Sequence, residues 1–110
     1  MLRRALLNID EQTFPDYSVV VVNDAGDPAA VDAVVAAAPP QTRDRTTVLH
    51  RAESAGMEAA ANAGLRASSS EFCCIHDDDD LWEPRFLERT VAFLDARPQT
   101  EMVVVRIFIR

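Results

Sequence analysis

Four consecutive valines, Val19 to Val22, constrain the fold of this chain more than any other feature of its sequence. Each is branched at Cβ, which restricts χ1 and favours an extended backbone. Because none alternates with a polar residue, the run reads as a strand buried on both faces, and such strands belong to parallel sheets. A parallel pair needs a long crossover, usually a helix, so helical segments must flank the run.

The rest of the chain supplies them. Leu2, Leu6 and Ile9 fall at helical spacing and mark one apolar face to about Glu11. That helix opens without an N-cap residue, which suggests that more chain precedes it. Asp27 followed by Pro28 reads as an N-cap with proline at the first helical position, and Val31, Val34, Val35 and Ala38 continue that helix until Pro39 and Pro40 stop it. Thr46 to Leu49 is a short strand. Met57, Ala60, Ala61, Gly64 and Leu65 share a face of small residues that would let a helix lie close to a sheet, and Ser68 to Ser70 end it. Phe72 to Ile75 is the next buried strand, Pro84 opens a helix with apolar rows through Leu87, Val91 and Leu94 and through Phe86 and Phe93, and Arg97-Pro98 closes that helix. Met102 to Ile109 begins as a further β-branched run and turns to alternation after Val105. Strands alternating with helices in this way imply an α/β fold with a mostly parallel sheet and helices on both faces.

At 110 residues the chain is one domain at most, spanning 1–110, with no repeats and no linker. A hydrophobic share of 48% with 26% charged residues argues against disorder. The net charge of −7 argues against nucleic acid as a partner. All 11 cationic side chains are arginine, so chemistry that needs a lysine is excluded. Adjacent residues of a strand point to opposite faces, so Cys73 and Cys74 are expected to be reduced packing residues with no disulfide or zinc role. No apolar run is long enough to span a bilayer, and the first residues lack the core of a signal peptide; a cytoplasmic location is therefore expected.

The chemistry concentrates at Asp77, Asp78, Asp79 and Asp80. Four adjacent carboxylates oppose one another's ionisation, so they must stay open to water, share protons, or bind a hard cation through oxygen. Ligands of open α/β sheets bind beyond the carboxyl ends of the strands, where Asn23-Asp24 and the aspartate run should face one crevice. Such a crevice suits Mg²⁺ or Mn²⁺, which in turn accepts diphosphate oxygens.

In order and spacing, Ala5 to Leu7, Gln12 to Tyr17, Val19 to Asp24, Ala60 to Leu65 and Asp77 to Pro84 resemble the family 2 glycosyltransferases, nucleotide-sugar enzymes of the GT-A fold. The resemblance implies a partial GT-A (Rossmann-like) fold. The family's acidic stretch holds its D-x-D motif. Carried over, Asp79 is the leading metal ligand, Asp77 and Asp78 contact ribose or assist the metal, Asp24 bonds the nucleotide base, and Asp80 shapes the turn that follows. The donor implied is a nucleoside diphosphate sugar, most commonly a UDP-sugar. An acceptor hydroxyl on a saccharide or glycoconjugate attacks it, usually with inversion, and a carboxylate general base is expected beyond Arg110. The family's first strand would precede Met1 and lie between the strands ending at Asn23 and His76, so its absence from the chain would leave a gap in the sheet. Two departures stand out: Ala61 occupies a position where the family often carries arginine, and Ala25-Gly26 replaces the more usual glycine-serine.

Competing readings remain. An acidic tetrapeptide by itself is a solvated loop, and Asp24 before Ala25-Gly26 is by itself a turn residue. His76 is better suited to packing or hydrogen bonding at a strand end than to a hard cation, Trp82 to anchoring the exit of the acidic loop, and Glu58 to a solvated helix face. His50 carries no motif. A phosphoryl-accepting receiver domain shares the length and the acidic pocket but needs a lysine. The other alternative is an inactive partial domain with at most weak nucleotide-metal binding.

Overall fold

The structure, a computed structural model, describes residues 2–77, 80–100 and 102. The elements run α1 (Leu2–Asp10), β1 (Val19–Asp24), α2 (Pro28–Ala36), α3 (Pro40–Arg43), β2 (Thr46–Arg51), α4 (Met57–Ala67) and α5 (Phe86–Asp95). The two strands pair in parallel, from Val19 opposite Thr46 to Asp24 opposite Arg51. This is the α/β architecture expected, with α4 against β1 and α2 against β2. No described helix is long and apolar enough to cross a membrane.

Local signals explain most boundaries. The Asp27 carboxylate accepts from Ala29 N at 3.1 Å, capping α2 one residue before Pro28, as the dipeptide predicts. Gly64 lets α4 approach the sheet: a Cβ there would stand 3.2 Å from Val22 Cγ2. Gly56 precedes α4 with a φ of 96°, a conformation that favours glycine. Pro39-Pro40 ends α2 but also starts the single turn of α3, because proline suits a first helical position.

The core is small and lies where α1 meets α2 and α3. Among the described residues its buried apolar side chains are Ala5, Leu6, Ile9 and Val35. Thr42, fully buried, donates to Asp10 Oδ1 at 2.8 Å, shares a 2.8 Å hydrogen bond with Tyr17 Oη, and through its carbonyl accepts from Thr46 Oγ1 at 2.7 Å. That network satisfies a buried hydroxyl and ties α1 to the entry of β2.

Three expectations need correction. Val19 to Val22 are half-buried rather than enclosed, since the described sheet has only two strands. Phe72 to Ile75 form no strand: no described strand lies beside them to accept a ladder of hydrogen bonds, and an extended segment without one gains nothing from its β-branched and aromatic residues. Ile75 is 62% exposed, and Cys73 and Cys74 are free thiols on the surface instead of packing residues. The strand expected over Met102 to Ile109 lies, apart from Met102, outside the described residues.

Candidate functional site

The carboxyl ends of β1 and β2 form one half of the site. Asn23, buried at the end of β1, folds its amide back on the loop: Nδ2 donates to Gly26 O and Oδ1 accepts from Gly26 N, both at 3.0 Å. A Cβ at Gly26 would sit 2.6 Å from Asn23 Oδ1, so the tight loop depends on glycine. Ala25 takes a φ of 69°, held by donation from its N to Arg51 O at 3.0 Å. The same Asn23 Nδ2 lies 3.0 Å from His50 Nδ1, which as the acceptor leaves Nε2–H to donate to Asp32 Oδ1 at 2.8 Å. His50, without a motif in the sequence, thus braces the loop that follows β1 against α2.

Asp24 sits in this frame. Its Oδ2 accepts from Ser54 Oγ at 2.8 Å, while Oδ1 is buried with no hydrogen-bond partner among the described residues. Opposite it in register, Arg51 likewise buries an Nη1 without a partner. Buried polar atoms are almost always paired, so an acceptor and a donor without partners among the described residues, on two residues paired in register, stand out at this strand end. Sequence reasoning reached Asp24 from its position at the end of a strand. It missed Arg51, whose relevance comes only from the β1–β2 register.

The second half is the acidic run. Asp77 and Asp80 are exposed, and Asp80 N donates to Asp77 O at 3.1 Å, a backbone contact that does not involve the Asp80 carboxylate. Asp78 and Asp79 lie outside the described residues. No described hydrogen bond joins Asp24 to Asp77 or Asp80, and among the described residues no three His, Cys, Asp or Glu side chains gather as a metal-binding group.

The flanks of the run are firmly held. Asn8 on α1, 8% exposed, accepts at Oδ1 from Trp82 N at 2.7 Å and from His76 Nε2 at 2.9 Å, and donates from Nδ2 to Trp82 O at 2.9 Å. His76 Nδ1 is 2.6 Å from Asp77 O, so both ring nitrogens face acceptors. Trp82 packs between the His76 ring at 4.4 Å and the Phe86 ring at 4.7 Å. One helical turn after Asn8, Gln12 donates to Glu83 O at 3.0 Å and accepts from Leu87 N at 3.1 Å, supplying the first turn of α5 with a partner. Thr13 N donates to Pro84 O at 3.0 Å, and the Arg85 guanidinium and Thr13 hydroxyl together hold the Glu88 carboxyl below its usual range. His76 and Trp82 therefore have the bonding and packing parts expected of them, and Glu58 is exposed on the first turn of α4. Asn8 and Gln12 carry no signal in the sequence, because each bonds to backbone more than seventy residues away.

The glycosyl transferase family 2 model matches residues 1–110. Over 89 residues the chain is 35% identical to the succinoglycan biosynthesis protein ExoW of Rhizobium meliloti, a match covering 79% of this chain and 27% of that protein. It is 32% identical over 90 residues to the uncharacterized glycosyltransferase alr2836 of Nostoc sp., covering 82% of this chain and 27% of the relative. It is also 32% identical over 85 residues to the uncharacterized glycosyltransferase YwdF of Bacillus subtilis, covering 76% and 30%. The chain thus spans between a quarter and a third of the length of these relatives. No solved structure matches it. A parallel β1–β2 pair ending in Asn23-Asp24, a small-residue helix on its face and an Asn8 side chain bonded to His76 and Trp82 are among the parts this matched stretch folds into, and the chain belongs to glycosyl transferase family 2.

Proposed function

We propose that the chain is the donor-binding part of an enzyme that moves a sugar from a nucleoside diphosphate sugar to an acceptor hydroxyl. The reading rests most on Asp24 Oδ1, a buried acceptor without a partner among the described residues, at the carboxyl end of a parallel strand. A nucleobase ring N–H is the donor such an atom lacks, and a neighbouring base carbonyl would face Arg51 Nη1. Uracil offers both in adjacent positions, which favours a UDP-sugar. Asp77 and Asp78 are assigned to the ribose or to assisting a divalent cation, with Asp79 as its principal ligand. The donor set fits a hard ion: the carboxylates are oxygen ligands, and Asp77 and Asp80 are exposed where a diphosphate can reach them. Bound there, Mg²⁺ or Mn²⁺ would neutralise charge developing on the departing diphosphate.

In the transfer itself, the acceptor oxygen forms a bond to the anomeric carbon as the bond from that carbon to the diphosphate breaks, with inversion. The acceptor proton passes to a carboxylate base contributed from beyond Arg110. Within residues 1–110 the work is binding and orientation: Asp24 fixes the base, the loop at Asn23 to Gly26 shapes its seat, and the aspartates would hold the cation that meets the diphosphate.

Calorimetry with UDP tests the assignment. Asp24→Ala is expected to weaken binding by on the order of tenfold to a hundredfold, the loss of one charge-assisted hydrogen bond, while the requirement for metal persists. Unchanged affinity in the variant would remove Asp24 from the base site.

A further inference from the structure

We propose that Asn8 is a positioning residue for the acidic run, acting through a single side chain that holds the two described flanks, His76 and Trp82. The inference rests on the donor-site reading above and adds to it a residue from a different element.

The segment entering the run has no described strand ladder. Among the described residues no strand pairs with Phe72 to Ile75, so no described ladder fixes where the aspartates begin. The Asn8 amide stands in for that ladder. Its Oδ1 takes the His76 Nε2 proton on the entry side, and its Oδ1 and Nδ2 together bond both backbone polar groups of Trp82 on the exit side. The Trp82 ring closes the clasp by lying against His76 at 4.4 Å. The clasp is anchored, because Asn8 lies on α1 among Ala5, Leu6 and Ile9, which are buried apolar residues of the core. Gln12, one turn on, extends the same helix-to-backbone contact to Glu83 and Leu87, so the exit cannot slide along α1.

An amide is required here. Trp82 presents a donor and an acceptor to one side chain, and only a group with both can satisfy them. Carboxylates that bind a cation and a diphosphate must be held to within about half an ångström, so loosening both flanks should weaken metal engagement while leaving the Asp24 seat intact.

Trp82 is the sole tryptophan, so its emission reports the clasp directly. The test is a titration of the full chain with Mn²⁺ in the presence of UDP, followed by Trp82 fluorescence, in the wild type, Asn8→Ala and Asn8→Asp. The half-saturating Mn²⁺ concentration should rise about tenfold in Asn8→Ala, which loses all three hydrogen bonds. Asn8→Asp keeps the acceptor for Trp82 N and His76 Nε2 and should fall between the two; it carries the test if the alanine variant does not fold. UDP affinity without metal, governed at Asp24, should stay within about twofold of wild type, a pattern that general unfolding would not produce. Wild-type Mn²⁺ response in both variants overturns the positioning part of Asn8 and leaves the donor site standing. A parallel loss of metal-free UDP affinity overturns it too, by showing a structural residue only. A wild-type chain whose UDP binding ignores Mn²⁺ overturns the donor-site reading and this inference with it.

Discussion

Asp79→Ala is expected to abolish metal-dependent binding of nucleoside diphosphates while leaving the chain folded. Removing one carboxylate from a run of four lowers like-charge repulsion, so folding stability should hold or rise slightly. A divalent cation loses its principal oxygen ligand, and neighbouring aspartates cannot replace it without moving. A change of one charged ligand shifts metal affinity by on the order of a hundredfold, enough to take a millimolar-range interaction out of reach. Thermal melting of the variant with and without UDP and Mn²⁺ checks both halves: the stabilisation by ligand should vanish and the unliganded midpoint should not fall. A ligand-induced shift as large as that of the wild type would assign the cation to other residues.

Leu6→Ala should have the largest effect on stability. Leu6 is 2% exposed and, among the described residues, belongs to a core of four buried apolar side chains, which offers few neighbours able to collapse into a cavity. Replacements of this kind cost about 3 kcal/mol, a large part of the stability of a domain this size. Asn8 and Ile9 ride on the same helix, so the loss should also loosen the clasp on Trp82. Denaturant unfolding followed by circular dichroism measures the first effect, and Trp82 emission at zero denaturant the second. A variant within about 1 kcal/mol of wild type would place the core elsewhere.

What could be read in the sequence depended on whether its cause was local. The valine run, the Asp27-Pro28 cap and the small-residue face at Gly64 each act within one element or its immediate neighbour, and each appears where expected. Phe72 to Ile75 have the composition of a strand, yet strand formation is a property of a pair, and composition does not supply the partner. Asp24 could be named as a candidate from sequence because ends of parallel strands are where α/β sheets bind ligands. Arg51, His50 and Asn8 were not: the first acquires meaning from the register, the second from a side-chain bond to Asn23, the third from contacts with residues 76 and 82. Hydrogen-bond partners distant in sequence leave no periodicity behind.

The central claim, that the aspartate run holds a cation which in turn holds the donor diphosphate, is tested most directly by UDP calorimetry on the wild-type chain, first in Mn²⁺ and then after chelation. The account predicts affinity at least about tenfold weaker without the metal, with binding restored by Mn²⁺ or Mg²⁺. Equal affinity in the two conditions would contradict it.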